Sequence, residues 1–192
     1  MKLIFTLTLT LACLVSKSQL YKDTWLLGGN LNYSKTVKSI YNLDKSRQIF
    51  LSSNIGYFLA DKFCAGFKLE GQFGKDIYNQ PDGTKTSFSQ NNYGTGLFSR
   101  FYFLEIDNRL NILTEANCIY INAFQKSPNQ NRTHYNEFGY ELLGGIEAFF
   151  NSAVGIELLL GYNHHKLISS ENGTGTIQLK IGFQFHLEKI DQ

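Results

Sequence analysis

"FCAGFKLEGQF", residues 63–73, is the stretch on which the fold turns. Phe63, Ala65, Phe67, Leu69 and Phe73 take alternate positions, and Lys68, Glu70 and Gln72 stand between them. A side-chain period of two belongs to a β-strand with one apolar and one polar face. Two architectures use those faces in opposite senses. A soluble sandwich or lipocalin-like barrel hides the apolar face, whereas a membrane barrel turns it outward.

The same parity recurs in 24–34, 48–58, 92–103, 110–120, 138–150, 154–163 and 176–187, so eight alternating segments are expected. One face of these segments collects Lys68, Glu70, Arg100, Glu115, Glu141, Glu147, Glu157 and Lys180. The opposite face, with residues such as Ile55, Leu97, Ile112, Leu158 and Ile181, holds no charge within the segment cores. An eight-stranded barrel encloses just enough space for side chains. Filling a lipocalin interior with carboxylates lacking partners is costly, because an isolated buried charge is heavily penalised. The uncharged face therefore looks to lipid and the charged face lines the lumen.

The linkers agree with that choice. Long polar stretches such as "KTVKSIYNLDKS", "KDIYNQPDGTKTSF" and "NAFQKSPNQNRTHYN" alternate with the short "LADK", "LEIDN" and "NSA". Short periplasmic turns and longer external loops are the pattern of an up-and-down outer-membrane barrel. Aromatic residues sort to the two ends. Trp25, Tyr57, Phe63, Phe101, Phe103, Phe150, Phe183 and Phe185 fall near the periplasmic rim. Tyr33, Phe73, Tyr93, Tyr120, Phe138, Tyr140 and Tyr162 fall near the external one. Bulky rings at both interfaces are what a bilayer selects.

Composition points the same way. The 192 residues are 43% hydrophobic and 15% aromatic, with 17 glycines, 2 prolines and 1 methionine. Richness in Tyr, Phe and Gly suits strands and tight turns more than helices. A net charge of +2 with no basic stripe gives no sign of nucleic acid, and none is expected as a partner. The mean hydropathy of −0.20 is that of an average in which lipid-facing and lumen-facing residues cancel.

The segment "MKLIFTLTLTLACLVSKSQ" opens with Lys2, continues through an apolar stretch from Leu3 to Val15, and ends in small residues. That is the form of a secretory signal peptide over residues 1–18, leaving residues 19–192 as one barrel domain. A spanning helix needs ~20 apolar residues, which this segment lacks. Cys13 would leave with the signal. Cys64 shares parity with the lumen residues and Cys118 with the lipid face, on segments separated by another, so no intramolecular disulfide is expected.

In order and spacing, "WLLGGNLNYS", "GYFLADKFCAGF", "LFSRFYF", "GGIEAFFNSAVGIEL" and "LKIGFQF" resemble the small outer-membrane β-barrels common in Bacteroidetes, of the OmpA/OmpX-like eight-stranded type. The resemblance covers nearly all of 19–192. It implies a closed, porin-like barrel in the outer membrane of a Gram-negative bacterium, at the cell surface and without an enzymatic role. It also implies an aromatic signal near the C-terminus read by the outer-membrane assembly machinery. Here "EKIDQ" follows Leu187, so Phe185 or Phe183 takes that part.

His164-His165 with Ser169, Ser170 and Glu171 has the residue types of a lipid A-modifying hydrolase. A serine nucleophile needs a base within hydrogen-bond reach and a third group to orient it. A solvated rim is the simpler account of these residues. Adjacent histidines on a strand point to opposite faces, and His134 and His186 have no metal-ligand spacing, so no metal or cofactor is expected. The lumen charges suit either a narrow ion path or a salt-bridge plug, and the narrow lumen favours the plug. Within it, Arg100 is expected to hold carboxylates from both neighbouring strands, and Lys180 to meet Glu157. The substitution Asn117→Ser is expected to be mild. The external linkers hold Lys35, Lys38, Lys45, Lys75, Lys85, Lys126 and Arg132 against Asp44, Asp76, Asp82 and Glu171. That mild cationic excess suits contact with lipopolysaccharide, in addition to outer-membrane lipids in general, and equally suits ordinary solvated loop charge.

The sequence thus predicts an all-β, eight-stranded antiparallel up-and-down transmembrane β-barrel. It is closed by a charge network and acts structurally or through external loops, whose extracellular ligand the sequence does not name. The rivals are a lipid A-modifying enzyme and a narrow channel.

Overall fold

The computed structural model describes residues 20–35, 43–79, 84–126, 132–170 and 173–187. The expected signal segment, Cys13, Lys38, Asp82, Glu171 and the tail "EKIDQ" lie outside the described residues. Among those described, the chain forms β1 (Trp25–Lys35), β2 (Leu43–Ala60), β3 (Phe63–Asn79), β4 (Lys85–Tyr102), β5 (Leu110–Lys126), β6 (Thr133–Phe149), β7 (Val154–Leu167) and β8 (Gly173–Leu187). Each strand pairs antiparallel with the next, and β8 returns to β1 to close the barrel.

Burial follows the parity of the sequence. In β3, Phe67 and Leu69 are 66% and 58% exposed, while Lys68 and Glu70 between them are 2% and 9% exposed. Leu158 on β7 is 40% exposed and its neighbour Glu157 is wholly buried. Apolar side chains cover the outside and charges fill the inside. Only a solvent less polar than water makes that arrangement favourable, because a chain that buries charge and exposes Leu in water inverts the hydrophobic effect.

The strands are longer than the alternating cores predict. β2 and β4 have 18 residues, and β3, β5 and β6 have 17. A tilted strand crosses a bilayer in ~9–11 residues. The excess stands at one end, built from stretches read as loop: "KDIYN" belongs to β3 and "KTSF" to β4. Lys35, Lys45, Lys75, Lys85 and Lys126 are therefore strand residues and not loop residues. The cause is physical. Beyond the bilayer the outward face meets water, so the ladder continues after the apolar alternation has stopped. Linker length consequently separates the two ends less sharply than expected, since the 103–109 interval is as long as 36–42.

The end carrying the β2–β3 turn is tied shut. Lys62 adopts a left-handed φ of 66° at this two-residue turn. Its amide donates to the Leu20 carbonyl at 2.7 Å, and its carbonyl accepts from Tyr102 N at 2.9 Å. Lys22 N donates to Asp61 Oδ1 at 2.9 Å. The chain before β1 thus lies across the barrel mouth and drives Leu20, fully buried, into it. There Leu20 joins Leu26, Phe58, Cys64, Phe98, Tyr102, Leu113, Leu143 and Leu159 in an apolar cluster. The lumen is accordingly not lined by polar groups throughout, against the expectation from the charged parity. One end is an ordinary hydrophobic core.

Glycines set the fit. Leu143 on β6 stands opposite Gly161 on β7, and Gly145 stands opposite Leu159. A Cβ at Gly161 would meet the Leu142 carbonyl oxygen and come within 2.6 Å of Leu143 Cδ2. Large residues fill the space that small ones leave, as a narrow tapering barrel requires.

Candidate functional site in the lumen

The structure gathers all eight sequence-predicted lumen charges inside the barrel, each 9% exposed or less. They form two layers joined by Glu115. Arg100 and Glu115 are directly opposed on β4 and β5. Arg100 Nε donates to Glu115 Oε2 at 2.8 Å, and Lys68 Nζ donates to Glu115 Oε1 at 2.8 Å. One carboxylate therefore holds a guanidinium on one oxygen and an ammonium on the other, using the lone pairs of both.

In the layer nearer the apolar cluster, the guanidinium reaches across the lumen to β7. Its Nη1 lies 2.9 Å from Glu157 Oε2 and 3.8 Å from Glu147 Oε2. Glu147 and Glu157 face each other in register on β6 and β7, so two like charges would repel without a shared cation. Arg100 supplies it. Tyr102 Oη donates to Glu147 Oε2 at 2.6 Å, and His186 Nε2 lies 2.9 Å from Glu147 Oε1. Asn30 Nδ2 and Gln184 Nε2 donate to Glu157 Oε1 at 2.7 and 2.8 Å. Ser52 and Asn54 extend this set by donating to Asn30 Oδ1 and Gln184 Oε1, each at 3.0 Å.

The other layer centres on Glu141. Lys180 Nζ donates to both its oxygens at 2.9 and 3.0 Å, Gln178 Nε2 donates to Oε1 at 2.6 Å, and Asn117 Nδ2 donates to Oε2 at 2.8 Å. Two expected pairings are corrected. Lys180 meets Glu141 and not Glu157, because the register sets Glu157 opposite Gly182 and leaves it within reach of Arg100. Arg100 holds no carboxylate of β3. Glu70 lies in the other layer, its Oε1 3.9 Å from Lys180 Nζ and accepting no hydrogen bond. Asn117, expected to tolerate Ser, donates to Glu115 at 3.1 Å and to Glu141, so its amide stitches the layers.

Tyr102, His186, Gln184, Asn30 and Asn54 were not expected in the lumen network. The available signal was parity, since Tyr102 shares the inward face of its strand with Arg100, and Gln184 and His186 share that of Lys180. Neutral side chains give no charge to notice.

Above the charged layers the lumen opens into a vestibule of about 730 Å³ to which every strand contributes. Glu70 forms its floor, with Gln72, Asn92, Glu137, His165 and Gln178 on the walls. His164 and His165 do point to opposite faces. His164 stacks on Tyr140 outside, with ring centroids 5.3 Å apart, and His165 faces the vestibule. His165 Nδ1 is buried and accepts no hydrogen bond, so nothing orients that ring as a general base. Among the described residues no group of three or more His, Cys, Asp or Glu side chains is arranged to hold a metal. Cys64 is buried inside and Cys118 is exposed outside, with β4 between their strands.

The aromatic residues lie on the outer wall in two bands. Trp25 packs edge-on to Tyr57 at 5.0 Å, and Phe101 to Phe103 at 5.2 Å, at the end that Leu20 closes. Phe183 and Phe185 are exposed on the same end of β8, and Phe63 is half-buried beside Phe101 in register. Toward the other end, Phe73 meets Tyr93 at 5.8 Å and Tyr140 meets Tyr162 at 6.4 Å, with Tyr33 and Tyr120 exposed nearby.

No protein-family model matches the chain, and no curated protein matches it. Solved structures do. The outer membrane protein OprG from Pseudomonas aeruginosa superposes with a TM-score of 0.59 at 11% identity, covering 90% of this chain and 100% of that one. The N-terminal β-barrel domain of Pseudomonas aeruginosa OprF gives 0.51 at 12% identity, covering 87% and 98%. At such identities the likeness is one of fold. The chain has the fold of an eight-stranded outer-membrane β-barrel.

Proposed function

We propose that this protein is an integral outer-membrane barrel whose lumen is plugged by its own charges, and that it serves a structural or surface-interaction role. The observation that carries this reading is the two-layer network centred on Glu115 and Glu141, seated on an apolar cluster that fills the lumen below it. Side chains bonded to one another across the lumen at 2.6–3.0 Å support a closed barrel over a channel. In this reading the end closed by Leu20 faces the periplasm and the tall end faces outward. Phe183 or Phe185 serves the assembly machinery.

A register row supports contact with lipopolysaccharide. Arg47, Lys75, Ser89 and Lys126 are successive partners across β2 to β5, and Lys35 holds the next position on β1. Arg47, Lys75 and Lys126 are exposed on the outer wall, just beyond the aromatic band that includes Phe73. Cations directly opposed on adjacent strands, ~4.8 Å apart, repel unless an anion lies among them. Phosphates of the outer leaflet fit that place.

Three measurements test the proposal. The protein should fractionate with the outer membrane and migrate differently on gels before and after boiling. It should give no steady conductance in a planar bilayer, and sustained ion-selective current would favour the channel. Lipid A from a deletion strain should keep its mass spectrum, and a changed acylation or phosphate pattern would favour the enzyme.

A further inference from the structure

Acceptors without donors gather around one cavity. Among the described residues eight buried side-chain nitrogen or oxygen atoms have no hydrogen-bond partner, and four belong to residues that line the vestibule. They are Glu70 Oε1, Asn92 Oδ1, Asn163 Oδ1 and His165 Nδ1. A polar atom kept buried and unpaired is costly, so four around one space call for donors that these side chains do not supply. Asn92, 7% exposed, shows how the oxygen is left over. Its Nδ2 donates to Gln72 Oε1 at 3.1 Å, and Gln72 Nε2 donates to Gln48 Oε1 at 3.3 Å. Each amide in this chain hands its donor to the next, and the oxygen of the first has no donor behind it.

Charge points the same way. The eight buried lumen charges are three cations, Lys68, Arg100 and Lys180, and five carboxylates. Glu115, Glu141, Glu147 and Glu157 each accept hydrogen bonds within the two layers. Glu70 is the exception. Its Oε1 accepts none, and Lys180 Nζ stands 3.9 Å away. Half-buried Glu137 adds a second carboxylate to the vestibule, whose lining has no Lys or Arg.

Register sets these two acids on one row. Glu70 on β3, Gly94 on β4, Ile121 on β5 and Glu137 on β6 are successive partners. A Cβ at Gly94 would lie 3.3 Å from Glu70 Cβ and 3.5 Å from Ile121 Cγ1, so the missing side chain lets those two draw together. The row therefore presents an acid, an apolar side chain and a second acid. Three inter-strand steps of ~4.8 Å separate the acids by ~14 Å along the wall, and both side chains reach inward to shorten the span.

We propose that the vestibule binds a linear aliphatic diamine, with one ammonium group at Glu70, the other at Glu137 and the methylenes over Ile121. The inference rests on the membrane reading above for the side of entry. The apolar cluster closes the Leu20 end, so the ligand enters from the opposite end, outside the cell. An ammonium group carries three donors and no acceptor, which matches leftover atoms that include the Asn92 and Asn163 oxygens. A metal ion matches them less well, since no group of three or more His, Cys, Asp or Glu among the described residues is arranged to hold one. The volume of about 730 Å³ lies within the ~300–1,000 Å³ usual for small-molecule sites.

The test titrates the full barrel in phosphatidylcholine vesicles by calorimetry, with protein-free vesicles subtracted. The probes are 1,6-diaminohexane, 6-amino-1-hexanol and 1,6-hexanediol, which carry two, one and no ammonium groups. The diamine should bind saturably, about ten-fold more tightly than the amino alcohol, and the diol should not bind. Glu70→Gln should weaken diamine and amino alcohol alike by about ten-fold, whereas Glu137→Gln should weaken the diamine alone. Asp107→Asn, exposed at the Leu20 end, should change neither. Heat-modifiable migration checks that each variant is folded, and if Glu70→Gln fails there, the contrast between the two amines in Glu137→Gln decides.

No saturable heat from the diamine, equal binding of diamine and diol, or unchanged affinity in both glutamine variants would overturn the site. So would a loss in Asp107→Asn as large as in Glu70→Gln, which would mean general attraction to an acidic protein surface. Orientation is read separately, with Thr174→Cys on the vestibule lining in a Cys64→Ala, Cys118→Ala background. In intact cells a membrane-impermeant maleimide should label this thiol, and the diamine should slow the labelling. Labelling that needs opened cells, with calorimetry unchanged, would overturn the outward orientation and leave the site standing.

Discussion

Replacing Arg100 by Ala tests whether the plug holds the barrel together. The guanidinium is 1% exposed and is shared by Glu115, Glu157 and, more distantly, Glu147. Removing one partner from a buried ion pair typically costs ~3–5 kcal/mol, because the other charge remains buried without compensation. The carboxylates are not equally stranded. Glu115 keeps Lys68 and Asn117, whereas Glu157 keeps only the neutral donors Asn30 and Gln184 among the described residues. Glu157 should therefore account for most of the loss. Urea unfolding in lipid vesicles, followed by Trp25 emission, should show a midpoint lower by about 1–2.5 M if the urea slope is ~2–3 kcal/mol/M. Adding Glu157→Gln to Arg100→Ala should recover more stability than adding Glu115→Gln, which also disarms Lys68. Both couplings follow from a double-mutant cycle. Strict additivity in both cycles, or an Arg100→Ala loss below ~1 kcal/mol, would refute the shared-cation argument.

Other substitutions probe separate links. Leu158→Arg on the outer wall should destabilise by ~2–4 kcal/mol in the same unfolding assay, the cost of a cation at mid-bilayer. Gly161→Leu should block folding into the heat-modifiable form, since its Cβ would collide with the Leu142 carbonyl and Leu143. Asn117→Ser should lower stability by about 1.5–3 kcal/mol, the loss of amide hydrogen bonds to charged groups that a hydroxyl is too short to replace. A neutral result there would mean that water substitutes freely within the plug.

Much of this architecture was legible in residues 63–73 because alternation is a local signal. The identity of the inward face followed from charge alone, and all eight charges share one lumen. Partners were harder to read. Lys180 with Glu141 and Arg100 with Glu157 each join strands that are not nearest neighbours in the sequence-level picture, and side-chain reach across a narrow lumen depends on shear. The apolar cluster escaped notice because Phe58, Leu113 and Leu159 occupy the charged parity, where hydrophobic residues do not stand out. Strand ends above the bilayer escaped for the converse reason. There neither face need be apolar, so "KDIYN" looks like loop while its backbone continues the ladder.

The plug and the glycines together explain how a barrel of such simple alternation selects one register. A slip by one residue turns every inward side chain out. Placing Lys68, Arg100 and Lys180 in lipid would cost ~2–4 kcal/mol each near the midplane, together comparable with the ~5–15 kcal/mol stability of a whole domain. A slip by two preserves the faces, so charge burial alone does not oppose it. Packing and pairing do. Sliding β7 two positions along β6 one way brings Leu143 against Leu159 in place of Gly161 and Gly145 against Glu157 in place of Leu159, and the other way leaves Gly145 against Gly161. Sliding β5 along β4 moves Glu115 away from Arg100 and opposes that guanidinium to Leu113 or Asn117. Face selection therefore belongs to the charges, and the choice among face-preserving registers belongs to the leucine–glycine pairs and to the single Arg100–Glu115 opposition.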